Sequence, residues 1–145
     1  MLILGCGNPD RGDDSAGVKV IEQLRELGIA AETCSGQAAD LIEAWTGRHE
    51  VLVVDAVASG APTGTVHVWD GWQALKAVRP PPSSHGLGIA EAIAIAHELD
   101  RLPARLRFYG IEARRFEPGT GPSPEVQAAI TDVVHRIVSL MQNPV

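Results

Sequence analysis

The segment Val51-Leu52-Val53-Val54-Asp55-Ala56-Val57 constrains the fold of this chain more than any other. It is continuous and β-branched, the strongest strand signal in the sequence. A second apolar run, Leu2 to Cys6, opens the chain, and a third spans Leu106 to Ile111. Between these runs the spacing turns helical. Ala16, Val20, Leu24 and Leu27 recur at helical intervals until Gly28. Leu41, Ile42 and Trp45 share one face of a helix over Ala38 to Trp45. Ile89, Ala92, Ile93, Ala96 and Leu99 mark another helix, with Ser83 or Ser84 available as its cap. Ser123-Pro124-Glu125 is a helix start, with a serine cap, proline at the first position and an acid in the first turn. Val126, Ile130, Val133, Val134, Ile137 and Leu140 follow on that helix.

Two weaker strands complete the pattern. Ile29 to Cys34 is one; Thr65 to Trp69 alternates like an edge or hairpin strand after the Gly60–Gly64 turn. Pro80-Pro81-Pro82 stops any helix begun near Trp72 to Ala77. No internal repeat or linker divides the chain. Strands alternating with helices predict a single-domain, three-layer α/β sandwich over residues 1–145, with a mainly parallel twisted sheet and helices on both faces.

Composition removes several classes of function. Twelve basic and eighteen acidic side chains give a net charge of −6. Nucleic acid and anionic membrane both require a positive field, so neither is expected as a partner. Two cysteines, Cys6 and Cys34, build neither a disulfide scaffold nor a cysteine-ligated zinc site. No run is long enough to span a bilayer, and the apolar start carries no basic residue before it. A cytoplasmic protein with reduced thiols is expected.

In parallel sheets the working residues gather at the carboxyl ends of the strands, where the strand order reverses. Three loops are expected there. One follows Cys6 and holds Asn8, Asp10, Asp13 and Asp14; the second begins at Asp55; the third holds Ser83, Ser84 and His85. Two carboxylates and an imidazole are a reasonable donor set for a divalent transition metal. Each residue also has a plainer role open to it. Asp55 can cap a turn, Asp13 can cap its helix, Asp14 can favour the helix dipole, and His85 can sit on the surface. His49, His67, His97 and His135 are weaker candidates. Gly5-Cys6-Gly7 fails as a dinucleotide fingerprint because Asp10 occupies the third glycine position. A thiol nucleophile at Cys6, with His85 as base and Asp55 orienting it, is opposed by the neighbouring acids, which raise a thiol pKa.

These pieces, in order, resemble the nickel–iron hydrogenase maturation endopeptidases. Leu4-Gly5-Cys6-Gly7-Asn8 with Asp13-Asp14 and Gly17-Val18 is similar to the family's opening strand, loop and helix. Val53-Val54-Asp55-Ala56-Val57 is similar to its central strand, and Ser84-His85 to its histidine motif. Gly110-Ile111-Glu112 and Gly121-Pro122-Ser123-Pro124-Glu125-Val126 are similar to its last strand and helix entry. The resemblance implies that Asp14, Asp55 and His85 contact metal and carry catalysis. It also implies that the substrate is a hydrogenase large-subunit precursor, trimmed at its C-terminus after nickel insertion. Nickel would arrive with that substrate, and no tightly bound metal of the chain's own is expected. One segment departs from the family. Cys34-Ser35-Gly36-Gln37-Ala38 stands where members often carry an Asp-Gly-Gly-Thr-like turn, which bears on the hydrogenase subgroup served. The alternative reading is a non-catalytic, nickel-dependent binding protein or chaperone of the same partner. Trp69, Trp72 and Leu75 are candidates for partner contact, or equally for local packing.

Overall fold

The computed structural model describes residues 1–71, 73 and 88–142. Five strands form one sheet: β1 (Leu2–Cys6), β2 (Glu32–Cys34), β3 (Glu50–Val57), β4 (Val66–Asp70) and β5 (Arg105–Glu112), in the order β2-β1-β3-β5-β4. Four helices pack on it: α1 (Ala16–Glu26), α2 (Ala38–Trp45), α3 (Gly88–Glu98) and α4 (Pro124–Gln142). The first four strands in that order run parallel, and β4 pairs antiparallel with β5. The expected mainly parallel α/β sandwich is the observed fold.

The alternation of side chains along each strand divides the interior into two cores. Leu2, Leu4, Val51, Val53 and Phe108 face α2 and α3, where Leu41, Trp45 and Ile93 close over them. Ile3, Leu52, Val54, Tyr109 and Ile111 face α1 and α4, meeting Val20, Ile21, Leu24, Ile130 and Val133. Both faces of β3 are therefore buried, which is why its sequence is apolar at every position from Val51 to Val54.

Several sequence expectations are corrected. Leu27 and Leu99, expected on the apolar faces, are exposed beyond the ends of α1 and α3, and Ile21 lies in the core instead. The second strand has only three residues, because Ile29 to Ala31 return from α1 before pairing begins. Of the two readings open for the strand Val66–Asp70, edge or hairpin, the edge is observed: it pairs antiparallel with β5 at the end of the sheet. Trp69 packs between the His67 ring, at 4.6 Å, and the Phe108 ring, at 5.7 Å. Trp72, Leu75 and the expected caps Ser83 and Ser84 lie outside the described residues.

Two glycines set how closely α1 approaches the sheet. A side chain on Gly5 would overlap the Gly17 carbonyl, and one on Gly17 would lie 2.5 Å from the Val54 carbonyl oxygen. The first turn of α1 is thereby drawn against the carboxyl ends of β1 and β3, between which the strand order reverses. Gly17→Ala is expected to cost about 2 kcal/mol from overpacking. Urea denaturation measures this; an unchanged midpoint would show that the close approach is dispensable.

Candidate functional site

The loop leaving β1 is fixed before it reaches its acids. Asn8 Oδ1 accepts the Asp10 N–H at 2.9 Å, forming a turn. The loop is then stitched to the segment after β5. Gly119 N–H donates to the Asp10 carbonyl at 2.7 Å, Gly12 N–H to that of Thr120 at 2.9 Å, and Asp13 N–H to that of Arg115 at 2.6 Å. A 3-10 turn, Gly12–Ser15, delivers Asp13 and Asp14 and runs into α1.

The two adjacent acids have different surroundings. Asp13 is fully buried, and its carboxylate receives four hydrogen bonds. Oδ2 accepts the N–H groups of Arg114 and Arg115, each at 2.9 Å. Oδ1 accepts the Ser123 N–H at 2.7 Å and the Ser123 hydroxyl at 2.9 Å. Burial pushes its pKa up, but these donors outweigh it and hold the carboxyl below its ordinary value. Asp13 is thus not the cap of the helix that follows it. It sits at the start of α4, a hundred residues on, and Ser123 spends its hydroxyl on Asp13.

Asp14 turns the other way, towards the end of β3. Its Oδ2 accepts the Asn8 N–H at 3.2 Å. Gly7, at φ +127°, makes room for this: a side chain there would overlap the Asp14 carbonyl and lie 3.7 Å from Asp55 Oδ1. Asp55 accepts the Ala56 N–H at 2.8 Å. Burial, then the charge of Asp14, push the Asp55 carboxyl up to about 8, against that one hydrogen bond; the Cys34 thiolate adds to the rise. The switch point of the sheet therefore holds two carboxyls that oppose each other's ionisation, an arrangement that a cation would relieve.

His85, the third expected member, lies outside the described residues. Gly88, which opens α3 three positions later, packs so closely on Gly36 that a side chain there would overlap the Gly36 carbonyl. Among the described residues no three His, Cys, Asp or Glu side chains are grouped to hold a metal. Among the described residues, cavities of about 640 and 820 Å³ are lined by residues other than Asp14 and Asp55.

Two features escaped the sequence reading. Glu112, at the end of β5, is buried and accepts from Ser59 N–H at 2.9 Å and Ser59 Oγ at 2.6 Å, with His67 Nε2 at 3.1 Å. It pins the loop four residues beyond Asp55. Glu112 ends a strand of apolar neighbours, and that was the available signal. The second feature is the pairing of Cys6 with Cys34. The Cys6 thiol, held up by its hydrogen bond to Cys34 and by burial, stays protonated; that same hydrogen bond, against burial, lowers Cys34 to about 6. Cys6 as a nucleophile is therefore disfavoured, as the neighbouring acids predicted.

Residues 19–140 match the HycI hydrogenase maturation protease family. Protein FrxA of Pyrococcus furiosus is 31% identical over 134 residues, covering 90% of this chain and 97% of the relative. The hydrogenase 2 maturation protease of Escherichia coli is 26% identical, covering 98% and 90%. The solved structure of the [NiFe] hydrogenase maturation protease HybD from Thermococcus kodakarensis is 29% identical, with a TM-score of 0.75 and coverage of 96% and 97%. The chain belongs to the hydrogenase maturation protease family, whose members are endopeptidases.

Asp13→Asn introduces an amide N–H₂ among four donors and removes a buried acceptor. It is expected to lower stability at neutral pH by about 3 kcal/mol. Because the folded carboxyl titrates below the ordinary value, its contribution is present at neutral pH and is lost as the pH falls through 3.8 and below. Denaturation curves across that range should show the acid loss in the parent and a smaller loss in the variant. Equal slopes would separate Asp13 from acid unfolding.

Proposed function

We propose that this chain removes the C-terminal extension of a nickel–iron hydrogenase large-subunit precursor after nickel insertion, in the cytoplasm, with Asp14, Asp55 and His85 contacting the substrate's nickel. The observation that carries the reading is the meeting of Asp14 and Asp55 at the switch point, where the Gly7 backbone lies against both. A half-buried carboxyl beside a second acid raises the cost of ionising both, and a divalent cation brought by a partner removes that cost. The membership of Ser84-His85 in the family's ordered motifs supports His85 as the third contact.

Two carboxylates and one imidazole form a mixed, moderately hard donor set that suits a divalent ion. Nickel in the loaded substrate supplies positive charge able to polarise the scissile carbonyl or to activate water. The chain's own part is positioning. Asn8 N–H orients Asp14, Ala56 N–H orients Asp55, and Glu112 with Ser59 steadies the loop beyond Asp55. A partner of protein rather than nucleic acid or membrane accords with the net charge of −6. Among the described residues no helix is long and apolar enough to cross a membrane.

Purified protein is expected to cut the nickel-loaded precursor and to leave the nickel-free precursor intact, read as a new C-terminus by mass spectrometry. Equal cutting of both would remove nickel from recognition. Nickel-dependent association without a new C-terminus would assign a binding or chaperone role instead. His85→Ala and Asp55→Asn should each slow processing by roughly a hundredfold or more, with circular dichroism unchanged. Normal processing by either would discard that residue.

A further inference from the structure

We propose that Cys6 and Cys34 form a reversible disulfide site that reshapes the turn between β2 and α2. The two residues are register partners on adjacent parallel strands, and each is the last residue of its strand. Neighbouring strands lie about 4.8 Å apart, inside the Cα separation of roughly 4.4–6.8 Å that a disulfide spans. Both side chains lie on the same face of the sheet, with Cys34 packed against the core that holds Cys6. Gly36 passes close by, and a Cβ there would sit 3.6 Å from the Cys6 Cβ. Beyond Cys34 the backbone leaves the sheet, so the residue can rotate towards its partner without dragging a ladder of hydrogen bonds.

The two thiols are unequal in access. Cys6 is fully buried, and Cys34 is half-buried. Cys34 is therefore the attacking sulfur and Cys6 the resolving one. With a small-molecule disulfide as oxidant, the Cys34 thiolate attacks one oxidant sulfur. A mixed disulfide forms and the first small thiolate leaves. The Cys6 thiol then gives its proton to that thiolate and attacks Cys34 Sγ, expelling the second small thiolate, which takes a proton from solvent. The protein pair loses two electrons and two protons, and one oxidant disulfide becomes two thiols.

The consequence reaches the edge where Asp55 lies. Ser35 and Gly36 form the turn that follows Cys34. The Ser35 hydroxyl bonds the Asp40 carboxylate, and the Gly36 carbonyl packs against Gly88 at the start of α3. Drawing Cys34 onto Cys6 pulls on that turn, and the contact with Gly88 leaves it no slack. The inference rests on the strands and the turn, independently of nickel.

The test treats the full chain with oxidised glutathione at neutral pH, then alkylates under denaturing conditions and reads intact mass. The parent is expected to lose both alkylatable thiols, weigh two hydrogens less, and recover fully with dithiothreitol. Cys6→Ala should stop at a glutathione adduct on Cys34, and Cys34→Ser should leave Cys6 unmodified. A parent ending as a glutathione adduct, as a dimer linked through Cys34, or with two free thiols would overturn the proposal without reference to any variant's folding. Amide hydrogen exchange across Ser35–Asp40 should differ between the oxidised and reduced parent. A disulfide that leaves this exchange unchanged would overturn the reshaping.

Discussion

The buried carboxylate of Asp13 ties together three stretches of chain that are remote in sequence: the loop after β1, the residues after β5, and the start of α4. Four donors converge on two oxygens, and the two from Ser123 are buried. A charge of this kind survives burial only when fully hydrogen-bonded, as it is here. Everything at the carboxyl edge follows from it. With that edge pinned, the 3-10 turn has one place to go, and Asp14 is delivered towards β3.

Much of the architecture was legible in the residues. The continuous β-branched run at Val51–Val57 read as the strongest strand, and β3 lies at the middle of the sheet. α4 opens at Pro124, where the helix start was read, although the Ser123 hydroxyl expected to cap it donates to Asp13. The weak elements were less legible for a physical reason. A three-residue strand such as β2 leaves almost no period to detect, and the exposure of Leu27 depends on where α1 ends relative to the sheet. The site divides in the same way. Strand-end position pointed to Asp55, and the family resemblance to Asp14. Nothing local distinguished Asp13 from Asp14, because the partners that do so come from residues 114, 115 and 123. Glu112, His67 and Ser59 were hidden likewise, since their contact joins residues more than forty positions apart.

The glycines carry a second kind of information. Gly5 and Gly17 let helix and strand backbones touch, and Gly7 admits the Asp14 carbonyl beside Asp55. Their spacing fails as a nucleotide fingerprint because they serve a different purpose. They clear space for acids, where a phosphate loop would present bare N–H groups to an anion. Closeness of backbones and opposition of charges are thus two results of one packing arrangement.

The tightness of the 3-10 turn has a consequence for how the chain can vary. With three residues per turn, neighbouring side chains point about 120° apart, so Asp13 and Asp14 face unrelated environments although they are chemically alike. Insertion or deletion of one residue between them and Gly17 would turn both acids away from their present surroundings and orphan the donors that Asp13 satisfies. The interval from Asp13 to Gly17 therefore behaves as an indivisible unit.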